Sequence, residues 1–222
     1  MLVSLTREEA PIYAALKALV QNYATSRSLS DITQACWDII GDAKEEFLFR
    51  VNLIDSLVDK NTDYEDIREV LFDLLLVKFL SAENKPEEFF DSEEWDQIEA
   101  KTLDRGTELL NLFLYLSEAK EEEVEIALDD FLNEFLLVDE DEFQDEMRIY
   151  ESFIKNENIL EADLISIRTV QSKIAADNPI KELFVGLVLF FQEAEGFTPE
   201  PNMELSAFEL SIYHSMLAFF EQ

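Results

Sequence analysis

Leu71-Phe72-Asp73-Leu74-Leu75-Leu76-Val77-Lys78-Phe79-Leu80 is apolar on nearly every face of a helix. A surface helix carries one apolar stripe, so a helix of this kind belongs in the centre with neighbours on several sides. Thr62 and Glu65 ahead of it have capping-box spacing and mark an N-terminus. Two more segments share its character, Leu109 to Leu116 and Leu183 to Phe191. The helices near residues 67 to 80, 107 to 117 and 180 to 192 are therefore expected at the middle of an all-α fold.

Around them the spacing predicts amphipathic helices. Thr6 and Glu9 make a capping box before Ile12, Leu16, Leu19 and Tyr23, a helix over about residues 7 to 25. Ser28 and Asp31 open a short helix with Ile32, Cys36, Trp37 and Ile40, which Gly41 stops. Phe47, Val51, Ile54 and Val58 line one face of a third. Ser92 caps a helix that is expected to run through Leu116 with Gly106 as a kink. From Glu121, the residues Val124, Leu128, Phe131, Leu132, Phe135 and Leu136 form a stripe, and Phe143, Met147, Tyr150 and Ile154 mark the next helix. Leu160, Leu164, Ile167 and Ile174 follow. Asn178-Pro179 reads as a cap-then-Pro helix start. After the loop at Gly196, Pro199 and Pro201, the residues Leu205, Phe208, Ile212, Met216 and Phe219 form the last stripe.

The fold class is thus an all-α multi-helix bundle of about nine helices, a single all-helical domain over 1–222 with lobes 1–120 and 121–222 as a subdivision. A second grouping of three helices, beginning near Phe72, Asp129 and Leu183, has spacings of 57 and 54 residues. That is compatible with repeated helical hairpins, although no fixed residue pattern recurs at this period.

Composition bounds the chemistry. Fifty Asp and Glu against seventeen Lys and Arg give a formal charge of −33, yet 48% of the 222 residues are hydrophobic and eighteen are Phe. Low hydrophobicity with high charge gives disorder, whereas here ample apolar surface offsets chain entropy and the acids belong on the outside of a real core. Four Gly and five Pro are too few for a sheet-and-turn architecture or for phosphate-cradling glycine loops. One cysteine excludes an internal disulfide, the first residues do not read as a secretory signal, and the longest apolar run is about half of the ~20 residues a bilayer needs. The expected location is cytoplasmic, without membrane insertion.

No enzyme site stands out. Asp59-Lys60-Asn61-Thr62-Asp63 begins like an EF-hand, but Tyr64 stands where the Gly must turn and Val70 where the bidentate Glu should be. The one histidine, His214, is preceded at −3 by Ser211, so the Glu-x-x-His pair of a di-iron bundle is absent. Cys36 beside Trp37 reads as a small core residue. With fifty acids almost any carboxylate pair can be drawn, and none is informative. The expectation is a non-enzyme with no cofactor and no metal site.

Two acidic stretches interleaved with aromatics remain. One carries Glu87, Glu88, Phe89, Phe90, Glu93, Glu94 and Trp95; the other carries Asp139, Glu140, Asp141, Glu142 and Phe143. Rings in an acidic surround suit a basic-apolar peptide, the rings supplying area and cation contacts and the carboxylates steering approach. The plainer reading makes the rings core staples at helix starts, with the acids favourably placed at helix N-termini. The main functional expectation is an acidic helical adaptor or chaperone-like protein that binds a basic protein or peptide. The negative field disfavours direct nucleic-acid binding. A homo-oligomer is compatible with the sequence. One alternative is a DNA mimic, with carboxylates in two rows that occupy the basic cleft of a nucleic-acid-binding protein. The other is a helical-bundle metal or small-molecule enzyme, which needs converging acids near His214 or in the Asp59 to Asp63 loop.

Overall fold

A computed structural model describes residues 5–23, 29–42, 44–81, 87–135, 147–156, 158–197 and 204–222. Every regular element among them is helical. In chain order these are α1 (Glu9–Tyr23), α2 (Leu29–Ile40), α3 (Phe47–Asp59), a 3-10 segment (Thr62–Ile67), α4 (Arg68–Ser81), α5 (Glu87–Phe90), α6 (Glu93–Thr102), α7 (Leu109–Glu122), α8 (Leu128–Phe135), α9 (Glu151–Ile154), a second 3-10 segment (Ile159–Glu161), α10 (Leu164–Gln171), α11 (Phe184–Ala194) and α12 (Ala207–Phe220). The described residues thus hold twelve α-helices, more than the nine expected. None of them is long and apolar enough to cross a membrane.

α4 occupies the place its composition demands. Val70 through Lys78 are all buried, and the helix touches α1, α2, α3 and α7. Phe184 through Gln192 of α11 are likewise buried throughout, and Gln192 directs its side-chain N–H groups to the carbonyls of Leu160 and Ala162. α7 buries Leu109, Leu112, Phe113, Tyr115, Leu116 and Ala119.

The N-terminal signal of α1 acts as the sequence suggests. Thr6 N–H donates to Glu9 Oε2 at 3.0 Å and Glu9 N–H to Thr6 Oγ1 at 3.2 Å, closing the capping box. Lys78 Nζ, buried near the middle of the fold, lies 3.3 Å from Glu9 Oε1. A second capping box, formed by Ser206 and Glu209, opens α12. α1 makes its most extensive contact with α12, and Ser215 Oγ donates to the Ala15 carbonyl at 3.1 Å. α12 also lies against α11 where Gly186 leaves room, since a Cβ there would stand 3.0 Å from Ile212 Cγ2.

Four expectations need correction. The helix capped by Ser92 does not continue through Gly106: α6 ends at Thr102, and Gly106 at φ 91 turns the chain before α7. A stripe beginning at Val124 is also wrong, because α7 closes with Glu123 in the left-handed region and leaves Val124 52% exposed. Only from Leu128 does the expected helix form; Leu136 and Phe143 lie outside the described residues. Asn178-Pro179 opens a turn and not a helix, for Asn178 Oδ1 accepts from Ile180 N–H while its Nδ2 group donates to the carbonyls of Arg148 and Ile149. Finally, Thr62 heads a 3-10 segment that precedes α4.

Candidate functional site

The first acidic-aromatic stretch folds as a tight helix–turn–helix. Ser92 Oγ accepts from Trp95 N–H at 3.2 Å, which starts α6 and folds Trp95 back towards α5. Phe89, Phe90 and Trp95 then meet edge to face, with centroids 5.7 Å apart for Phe89–Phe90, 5.8 Å for Phe89–Trp95 and 5.1 Å for Phe90–Trp95. These are favourable quadrupolar arrangements. The cluster is not free-standing, because Phe89 meets Phe79 at 5.9 Å and Phe79 meets Phe47 at 4.6 Å, a buried ring of the core. The sequence reading missed this tether; the signal was Phe79 near the end of the apolar run, close in sequence to the aromatic pair.

Exposure divides the cluster. Phe89 and Trp95 are partly buried and staple α5 and α6 to the core, as the plainer reading expects. Phe90 is 43% exposed, so one ring face stays open to solvent. Asp91, Glu93, Glu94 and Asp96, close to it in sequence, are all exposed. Glu87 and Glu88 begin α5, with side chains outside the described set. The second stretch, Asp139, Glu140, Asp141, Glu142 and Phe143, lies outside the described residues.

Several of the basic side chains turn onto carboxylates or carbonyls of the fold itself. Arg68 reaches Asp55 at 3.2 Å, Asp59 at 2.6 Å and Glu65 at 2.7 Å. Arg105 holds Asp55 at 3.0 Å and Glu69 at 2.9 Å while its guanidinium lies 5.0 Å from the centroid of the Phe72 ring. Arg168 grips Glu209 at 2.6 Å. Burial opposes ionisation of Glu209, but Arg168 and the Ser206 N–H outweigh it and hold the carboxyl below its ordinary value. Arg50 donates to the Ile40 carbonyl at 3.2 Å.

One acid is deeply enclosed. Asp73 on α4 is fully buried, accepting from Thr107 N–H at 2.9 Å and from Thr107 Oγ1 at 2.6 Å. Burial, chiefly, pushes its carboxyl up to about 8, against the two Thr107 hydrogen bonds and with the help of Glu69 and Glu108. Gly106 N–H donates to Glu69 at 2.8 Å beside it. Together with Arg105, these contacts fasten the Leu103–Glu108 connection onto α4. This network, too, was not foreseen. An isolated Asp in an apolar run and an Arg-Gly-Thr break 32 residues later were its only traces.

The enzyme candidates take ordinary structural places. Asp59 pairs with Arg68, and Asn61 Nδ2 donates to the Leu57 carbonyl at 2.7 Å, so the Asp59 to Asp63 segment is a helix connection. His214 sits half-buried on α12 with its ring 5.0 Å from that of Tyr213. Cys36 is buried, and burial pushes its thiol up to about 12. Among the described residues, no group of three or more His, Cys, Asp or Glu side chains is placed to hold a metal ion. No protein-family model, curated protein or solved structure matches this chain.

Proposed function

We propose that this protein is a non-enzymatic acidic adaptor or chaperone-like protein that binds a basic-apolar peptide or protein segment on the α5–α6 corner. The observation that supports it most is Phe90: a ring left 43% exposed by its own cluster, in contact with Phe89 and Trp95, on a segment whose neighbouring acids Asp91, Glu93, Glu94 and Asp96 are all exposed. A pre-positioned aromatic loses little conformational freedom on binding, so its burial goes largely into affinity. The carboxylates raise the encounter rate with a cationic segment and disfavour acidic ones. The anchor supplies apolar area; the rim supplies selectivity.

The test uses Trp95 as its reporter. The chain has two tryptophans, and replacing the buried Trp37 by Phe leaves Trp95 alone. A tryptophan-free peptide alternating Lys and Leu is titrated at low and raised salt, beside a Glu–Leu peptide of equal length. The Lys–Leu peptide is expected to bind and to weaken with salt, since exposed charge attraction is screened over roughly 10 Å at ~0.1 M. Phe90→Ala is expected to weaken it about tenfold or more, the loss typical of a central aromatic anchor. Binding that ignores both salt and Phe90→Ala, or equal binding of the acidic peptide, overturns the proposal.

A further inference from the structure

Away from the α5–α6 rings, a recess of about 300 Å³ lies where the start of α1, the ends of α4 and α7, and the last turn of α12 come together. Its apolar lining is Pro11, Ile12 and Phe219. Two cations, Arg7 and Lys120, share it. The Lys120 ammonium is withdrawn from solvent, yet it has no hydrogen-bond partner. Among the described residues the other such nitrogen is Arg50 Nε, whose guanidinium still reaches a carbonyl through another N–H. The other inward-turned cations, Arg50, Arg68, Lys78, Arg105 and Arg168, each reach a carboxylate or a carbonyl. Desolvation, with the Arg7 charge beside it, holds the Lys120 amine below its ordinary pKa.

A buried ammonium without an acceptor is costly, and an anion seated against it relieves that cost. The serines of the recess do not serve as donors, because Ser81 Oγ donates to the Val77 carbonyl and Ser117 Oγ to the Phe113 carbonyl. Donation to a ligand therefore falls to Lys120 and Arg7. Glu8 and Glu121 also line the recess, so its charged side chains sum to zero and a dianion would meet both of them. The field of a −33 molecule adds to that penalty. A monoanion with an apolar body is the class that suits all of these features, and the volume is that of a small-molecule site.

We propose that this recess binds a small organic monocarboxylate, its carboxylate held between Lys120 Nζ and the Arg7 guanidinium and its apolar body against Pro11, Ile12 and Phe219. The probes are benzoate and inorganic phosphate, added to protein labelled with 13C-lysine, with the Lys120 CεH2 resonance assigned by its loss in Lys120→Met. Benzoate is expected to move the Lys120 resonance saturably and to raise the pH at which that amine deprotonates. Arg7→Gln, at an exposed position, is expected to weaken benzoate about tenfold, and Lys120→Met to abolish its binding measured by calorimetry. Should Lys120→Met fail to fold, the wild-type titration and Arg7→Gln decide the matter. The proposal is overturned by a Lys120 resonance that does not respond saturably to benzoate, by unchanged affinity in Arg7→Gln or in a folded Lys120→Met, or by phosphate binding as tightly as benzoate.

Discussion

Replacing Asp73 by asparagine is expected to stabilise the folded chain at neutral pH and to remove part of its pH dependence. The carboxyl is sealed from solvent, and its pKa of about 8 compares with an ordinary value of 3.8. Between those two values the folded state keeps a proton that the unfolded chain has released. Stability therefore falls as pH rises, by ~1.4 kcal/mol per unit, until the folded carboxyl itself ionises near pH 8. At pH 7 the accumulated loss is about 4 kcal/mol. Asparagine preserves the geometry: its carbonyl accepts the Thr107 N–H that now reaches Oδ1, and its amide donates to the Thr107 hydroxyl that now meets Oδ2. For a chain of this size the gain corresponds to a rise in melting temperature of roughly 8–16 °C. Urea denaturation of both proteins from about pH 5 to about pH 8 measures the difference directly. The two stability curves should converge in acid and diverge with rising pH. Parallel curves, or an asparagine variant less stable at pH 7, would refute the argument that desolvation governs this carboxyl.

Phe131→Ala should cost about 3–5 kcal/mol in the same denaturation assay, since the ring is 1% exposed and packs on Tyr115, Tyr150 and Phe191 at 5.5–5.6 Å; unchanged stability would show that α8 does not dock there. Gly106→Ala should destabilise by at least about 1 kcal/mol, because alanine is strained at φ 91 and its Cβ would stand 2.7 Å from Asp73 Oδ1. Arg168→Met should leave the Glu209 carboxylate buried without its cation, a loss on the order of 3 kcal/mol near neutral pH. The Arg168 contribution fades in acid, because the Glu209 pKa is depressed in the folded state and its stabilisation is lost as pH falls through that value. Denaturation of wild type and variant near pH 7 and in acid checks both the size of the loss and its disappearance.

What could be read in advance depended on how local the determining contact is. The Thr6–Glu9 box and the Ser92 cap lie within one helical turn, so their chemistry shows in a few letters. The all-round apolarity of α4 likewise announced its position. Gly106 was visible as an irregularity, but its consequence rests on Glu69 and Asp73, more than thirty residues earlier in the chain. Glu123 gave no warning, since the left-handed region is uncommon for a residue other than Gly and a glutamate does not announce it. For the α5–α6 corner, the rings and acids were legible as a group; the exposure of Phe90 and the anchorage through Phe79 depend on α4 and α3. The Lys120 recess is assembled from four helices far apart in sequence, and no short stretch encodes it.

The pairing of α1 with α12 has a consequence for how the molecule is made. α1 is synthesised well ahead of its most extensive partner, which arrives close to two hundred residues later, a separation marked by the Ser215–Ala15 hydrogen bond. At ribosomal rates of ~5–20 residues per second, Ile12, Leu16, Leu19 and Val20 wait on the order of 10–40 s for that cover, leaning chiefly on α2 and α4 meanwhile. Contacts of such long sequence separation also slow the final docking step. A nascent chain in this position is prone to sticking to its neighbours, and dense negative charge on the emerging helices keeps such intermediates apart by mutual repulsion.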